Sequence, residues 1–224
     1  MSEPKKISIV HLGFFLCAIC VIASAALAFA ANITKEPIAK AKKAKVYNGL
    51  KTVLPPFDND LVKTAKTYKS DNGAQVEIYT AKKNGKVVGY AAKANVTTGY
   101  GGYVEGLIGL DPAGKITNYV ISSHNETPGL GSRATERKAQ KTIFNLCEKK
   151  NGGELPPNKI LDQYRGHSAS ADDAWKIRPW KLKKDGGDVD SVTGATISSN
   201  AVCGIAWEAV SAFARNKTEI LKGN

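Results

Sequence analysis

The chain has 224 residues, with 32 Lys and Arg against 20 Asp and Glu and a formal net charge of +12. That length allows one domain with a sizeable core beside any anchor, not several. The positive balance comes without aromatic–basic repeats, zinc-finger spacings or RNA-binding signatures, which argues against nucleic acid as a partner and leaves anionic headgroups or an acidic protein.

Residues 7–31 are apolar apart from Ser8, His11 and Ser24 and contain no Lys, Arg, Asp or Glu. A bilayer core needs roughly 20 such residues, and a cleaved signal peptide only about 7–15. The segment therefore predicts an uncleaved single-pass anchor, preceded by residues 1–6. The small-residue stretches Ala26-Leu27-Ala28 and Ala28-Phe29-Ala30 keep a cleaved signal peptide as the alternative. Lys5 and Lys6 precede the span, whereas Lys35, Lys40, Lys42, Lys43 and Lys45 follow it. Charge counting alone would place the following domain inside.

Residues 32–56 read as a connecting amphipathic helix. Ile38, Val46, Leu50, Val53 and Leu54 form its apolar stripe, and Pro55-Pro56 ends it. Residues 57–224 are the remaining domain. Strands are predicted at 75–80, alternating Val76 and Ile78 with polar residues, and at 86–94, joined by the hairpin dipeptide Asn84-Gly85. A second pair covers 103–110 and 115–122, around the turn Asp111-Pro112-Ala113-Gly114. Short connections imply an antiparallel sheet and an α+β fold with flanking helices. A helix is expected from Arg133 to Lys149, with Ala139, Ile143, Leu146 and Cys147 on one face and Asn151-Gly152-Gly153 as its stop. Residues 154–190 read as loop with a short strand around Trp175 to Trp180. The last helix runs from Ile197 to Arg215 with a stripe of Val202, Ile205, Ala206, Ala209, Val210 and Phe213. Cys147 and Cys203 fall on apolar helix positions and read as packed thiols, a disulfide between them being the alternative. No Cys/His cluster has metal-ligand spacing.

Three runs carry chemistry. The first is Asp190-Ser191-Val192-Thr193-Gly194-Ala195-Thr196, a turn leading into the last helix, where unpaired N–H groups and the positive dipole end favour phosphate. Its structural alternative is Thr193 as N-cap with Thr196 solvated in the first turn. The second is His124-Asn125-Glu126-Thr127-Pro128-Gly129-Leu130-Gly131, where glycines let backbone approach a flat ligand. Its alternative is a plain Gly/Pro loop with a helix cap at Ser132. Gly129-x-Gly131-x-x-Ala134 also matches a dinucleotide fingerprint, but no buried parallel strand ending in an acid follows, so NAD binding is rejected. The third is Thr97-Thr98-Gly99-Tyr100-Gly101-Gly102, a glycine turn before the second strand pair. His124 and His167 are the remaining candidate proton handlers, and no triad or paired-carboxylate constellation suggests a hydrolase.

In this order, the three runs and the anchor resemble the FMN-binding subunits of the Rnf and sodium-pumping NADH:quinone oxidoreductase complexes. The compact length is more similar to the G subunit of the Rnf ion-translocating complex than to the longer homologous C subunit of the sodium pump. The resemblance implies that Thr196 carries FMN through a phosphoester bond, in the setting of Asp190, Thr193, Gly194 and Ala195. It implies that Glu126, Thr127, Gly129, Leu130 and Gly131 line the flavin and that Tyr100 flanks it. It further implies a redox carrier rather than a stand-alone enzyme, working with membrane, iron–sulfur and flavin subunits of a ferredoxin:NAD oxidoreductase that moves ions. A flavin transferase would attach the FMN, and the domain would face the extracytoplasmic side of the cell membrane, with residues 1–6 as a short cytoplasmic N-terminus, against the charge count. The alternative is a membrane-tethered binding or assembly module without flavin.

Overall fold

The computed structural model describes residues 9–137, 155–169 and 180–222. The chain divides into two compact units, Met1–Lys45 and Val46–Asn224. The first is the N-terminal part of helix α1 (Ile9–Val53), 45 residues long with Pro37 inside it. By length and composition α1 can cross a membrane. No break separates the apolar stretch from the lysine-rich one; Thr34 Oγ1 donates back to the Ala30 carbonyl at 2.8 Å.

The second unit is built on a five-stranded antiparallel meander, order β1-β2-β3-β4-β5. The strands are β1 (Lys66–Lys69), β2 (Gln75–Lys83), β3 (Lys86–Gly99), β4 (Gly102–Leu110) and β5 (Ile116–His124). The α+β expectation holds. The hairpin at Asn84-Gly85 has φ of 51° and 75°, the left-handed pair that matches the twist of the flanking strands. β1 escapes sequence reading because only Tyr68 of its four residues is buried. β3 and β4 also extend beyond their predicted ends and pair Gly99 with Gly102.

Alternation along the strands gives two apolar faces. One packs Val76, Ile78, Tyr90, Ala92, Val104 and Ile108 against helix α5 (Thr196–Arg215), which contributes Val202, Ile205, Ala206, Ala209, Val210 and Phe213. Tyr119 Oη donates to the Val202 carbonyl at 2.8 Å, fastening α5 to β5. The other face packs Tyr79, Ala81, Ala91 and Leu107 against Leu50, Val53 and Leu54 of the α1 end and Leu61 of the short helix α2 (Leu61–Thr64). Gly109 permits this close approach: a Cβ there would overlap the Val53 carbonyl and lie 2.8 Å from Thr117 Oγ1.

The helix expected from Arg133 to Lys149 is corrected at its start. Helix α3 covers only Ser132–Thr135, and Glu136 is already extended. Asn158 Nδ2 donates to the carbonyls of Arg133 (3.2 Å) and Glu136 (2.9 Å). Arg137 turns to the edge of β5, where it donates to the Tyr119 carbonyl at 3.0 Å and pairs with Asp162 at 2.6 Å. These non-local bonds outweigh local helix propensity. Burial works against charge on Asp162, but Arg137 and the Asn158 amide overcome it and hold the carboxyl below its ordinary value. The remainder of that predicted helix, with Cys147 and the Asn151-Gly152-Gly153 stop, lies outside the described residues, as does the predicted strand at Trp175 except for its last residue, Trp180. Asp162 closes helix α4 (Lys159–Asp162), capped by the Asn158 side chain. A helix not foreseen, α6 (Lys217–Lys222), follows α5. Cys203 is buried and accepts a hydrogen bond from Tyr164 at 3.1 Å.

Candidate functional site

The start of α5 is built without a side-chain cap. Gly194 has φ 79°, and the N-cap is Ala195, not Thr193, so Thr196 is the first helical residue. Ala195 N donates to the Val192 carbonyl at 2.9 Å, and Ser199 N closes the first helical bond to Ala195 at 3.0 Å. Among the described residues the amides of Thr196, Ile197 and Ser198 find no acceptor, which leaves a positive, donor-rich helix end.

The hydroxyls around this start are not equivalent. Ser199 Oγ donates to the Ala195 carbonyl (2.9 Å) and accepts from Val192 N (3.1 Å). Ser198 Oγ donates to Glu126 Oε2 at 2.5 Å. Both serines are fully buried. Thr196 is half-buried, and its hydroxyl has no partner among the described residues. Thr193 and Ser191 are exposed. The hydroxyl at the helix start that is both uncommitted and sheltered is therefore that of Thr196.

The second run folds over this end. Leu130 N and Ser132 N both donate to the Thr127 carbonyl, at 3.3 and 3.1 Å. Ser132 Oγ accepts from Gly129 N at 2.9 Å, so Ser132 braces the loop instead of capping a helix. Thr127, Pro128, Gly129 and Leu130 face solvent. Leu130 meets the first run: a Cβ on Gly194 would lie 3.4 Å from Leu130 Cδ1. Gly131 is enclosed, and a Cβ there would stand 2.6 Å from both Glu126 Oε2 and Ser198 Oγ.

The third run joins through the same carboxylate. Gly101 N donates to Glu126 Oε1 at 3.4 Å, and a Cβ on Gly99 would collide with that oxygen. Glu126 is only 5% exposed, so the start of α5, through Ser198, and the third run, through Gly101, both meet the second run on one buried side chain. Tyr100, Leu130 and Ile197 remain exposed, at 70%, 45% and 52%. Ile197 follows Thr196 directly, Leu130 lies against Gly194, and Tyr100 adjoins Gly101 on the run bonded to Glu126.

Asp190 is positioned differently. Its carboxylate pairs with Lys183 Nζ at 2.7 Å, and Gln163 grips its backbone through Asp190 N (2.6 Å) and its carbonyl (3.3 Å). It steadies the approach to the turn and makes no described contact with Glu126. His124 Nδ1 accepts from Glu126 N at 3.2 Å, and Nε2 lies 3.4 Å from Glu136. His167 stacks edge-on to Trp180 at 6.0 Å, away from these loops. Sequence reading missed Ser198 and Gln163, whose roles arise only from the tertiary fold. Two concavities of this unit lie elsewhere, one of about 170 Å³ beside Lys63, Lys66, Tyr68 and Ile220 and one of about 630 Å³ beside Tyr47, Pro55, Phe57 and Asn118.

An open helix end for phosphate, a free hydroxyl on it and exposed apolar side chains for a flat ring fit a phosphorylated flavin. The class so defined is an FMN-binding domain: residues 99–211 match the FMN-binding domain family, a range that holds all three sets of converging residues. The G subunit of the ion-translocating oxidoreductase complex of Haemophilus influenzae is 31% identical over 84% of this chain and 80% of its own length. The G subunit of the Na(+)-translocating ferredoxin:NAD(+) oxidoreductase complex of Acetobacterium woodii is 30% identical over 90% and 92%. The corresponding G subunit of Aliivibrio fischeri is 27% identical over 99% and 95%. This chain belongs to the G-subunit family of ion-translocating oxidoreductase complexes and carries that family's FMN-binding domain.

Proposed function

We propose that this chain is the membrane-anchored electron carrier of an ion-translocating ferredoxin:NAD oxidoreductase and holds FMN covalently on Thr196. The observation that supports this most directly is the uncommitted, half-buried hydroxyl of Thr196 on an uncapped helix start. In the attachment step Thr196 Oγ attacks the flavin-side phosphorus of FAD. The Oγ–P bond forms as the pyrophosphate P–O bond breaks, AMP leaves with that electron pair, and the hydroxyl proton passes to solvent. A flavin transferase supplies the FAD and the catalytic groups. The amides of the first α5 turn would hold the phosphodiester. Leu130 and Tyr100 offer apolar surface to the ring, and Thr127 and the backbone at Gly129 offer hydrogen bonds to its polar edge. FMN supplies the electron chemistry; the protein fixes its place and surroundings.

The electrons pass between iron–sulfur and flavin groups of partner subunits, with this chain as one relay. Protein purified from its native membrane is expected to be yellow and to stay yellow after denaturation and washing. Its intact mass is expected to exceed that of the bare chain by one FMN less one water. A colourless chain of unmodified mass, made alongside the transferase, would instead support a tethered assembly module.

The domain faces the extracytoplasmic side, where a covalent tether prevents loss of the flavin. Lys86 is exposed in the β2–β3 hairpin, and a Lys86→Cys variant is expected to react with a membrane-impermeant thiol reagent in intact cells. The background is a variant without Cys17, Cys20, Cys147 and Cys203. Labelling only after the cells are broken open would put the domain inside, as the lysines after the span predict.

A further inference from the structure

We propose that Ser198 and Glu126 form a clasp that positions the Thr196 hydroxyl for flavin attachment, Ser198 being a positioning residue and not an acceptor. This inference rests on the reading of Thr196 as the attachment residue.

The first turn of a helix frays unless something outside it takes its free groups. The usual device is an N-cap side chain, and Ala195 cannot provide one. Glu126 supplies the missing restraint from 72 positions away in sequence: its Oε2 accepts the Ser198 hydroxyl at 2.5 Å. Ser198 is the third residue of the helix and Thr196 the first, so both lie in the same turn. Holding the Ser198 side chain fixes the rotation of that turn and hence the direction of Thr196 Oγ.

Two features make the clasp rigid. Ser198 and Glu126 are 1% and 5% exposed, so water does not compete for the bond. Gly131 seals it, since any side chain there would displace one of the two oxygens. Glu126 is itself held on two sides, by Gly101 N at Oε1 (3.4 Å) and by His124 Nδ1 on its own amide (3.2 Å). An acceptor carboxylate near a helix start is also favoured by the dipole. Because it engages a side chain, it leaves the first-turn amides open to the phosphate. The same bond keeps the Ser198 hydroxyl from competing with Thr196.

The test is the rate of flavin attachment to the full-length chain by the transferase, with FAD as donor, read by intact mass over time. Ser198→Ala and Glu126→Ala are expected to lower the turnover rate by about 10- to 100-fold, the effect of a small misplacement of a reacting group. The KM for the chain should stay unchanged, and full labelling should still be reached. Glu126→Gln, which retains an acceptor oxygen, is expected to stay within about threefold of the parent, and the double Ala variant should be no slower than either single one. Parental rates in both Ala variants would overturn the clasp. So would a rate loss accompanied by loss of the cooperative thermal transition at the assay temperature, since that is a folding defect. An unlabelled parent chain would instead refute the reading of Thr196, which separates the two failures.

Discussion

Replacing Thr196 with alanine is expected to remove the covalent flavin completely. The intact mass should drop to that of the bare chain, and the denatured protein should be colourless, with the fold unchanged. The side chain is half-buried and makes no hydrogen bond among the described residues, so its loss leaves nothing unsatisfied in the core. The neighbouring hydroxyls cannot substitute. Ser198 and Ser199 are buried and already bonded, and Thr193 and Ser191 are exposed and lie before the helix begins. Ser191→Ala and Thr193→Ala should therefore keep the label, and Thr196→Ser should keep it as well. Label persisting in Thr196→Ala would move the attachment elsewhere and sink the assignment.

The second large effect concerns stability. Gly109→Val should lower it by about 3 kcal/mol, the upper part of the usual range for forcing atoms into a packed core. For a chain of this size that is a fall in melting temperature of roughly 6–12 °C. The Cβ would overlap the Val53 carbonyl and crowd Thr117 Oγ1. One is backbone and the other is anchored by its own bond to Val53 at 3.4 Å, so neither yields like the tip of a long side chain. β4 lies between β3 and β5 and cannot shift without breaking pairing on both sides. Melting of the full chain in detergent, followed by its far-ultraviolet signal, measures this. An unaltered transition would mean that the end of α1 does not pack on the sheet as described.

What could be read in advance followed the range of the interaction involved. β2 to β5 are set by local alternation and by turn dipeptides such as Asn84-Gly85, and α5 by an apolar stripe along one face. Both were legible. β1 was not, because its two lysines and one threonine carry no pattern and only the β2 ladder holds it. The early end of α3 depends on Asn158 and Arg137, a tertiary override invisible in the run Arg133 to Lys149. At the site, the runs themselves were readable by composition and order. Their meeting on Glu126 was not, because a carboxylate within a Gly/Pro loop does not announce a serine 72 positions later.

The order of elements also bears on when the flavin can be added. The meander joins only neighbours in sequence and is complete by His124. Such a sheet can form early as the chain emerges, N-terminal parts first. The hydroxyl proposed as the acceptor comes some seventy residues later, on the helix that closes the core. A chain interrupted after the Glu126 loop would own the whole sheet, yet have nowhere to attach the cofactor. Colour in this protein would therefore report a chain made and folded through α5: only molecules in which that helix has been made and docked could enter an assembly as working relays.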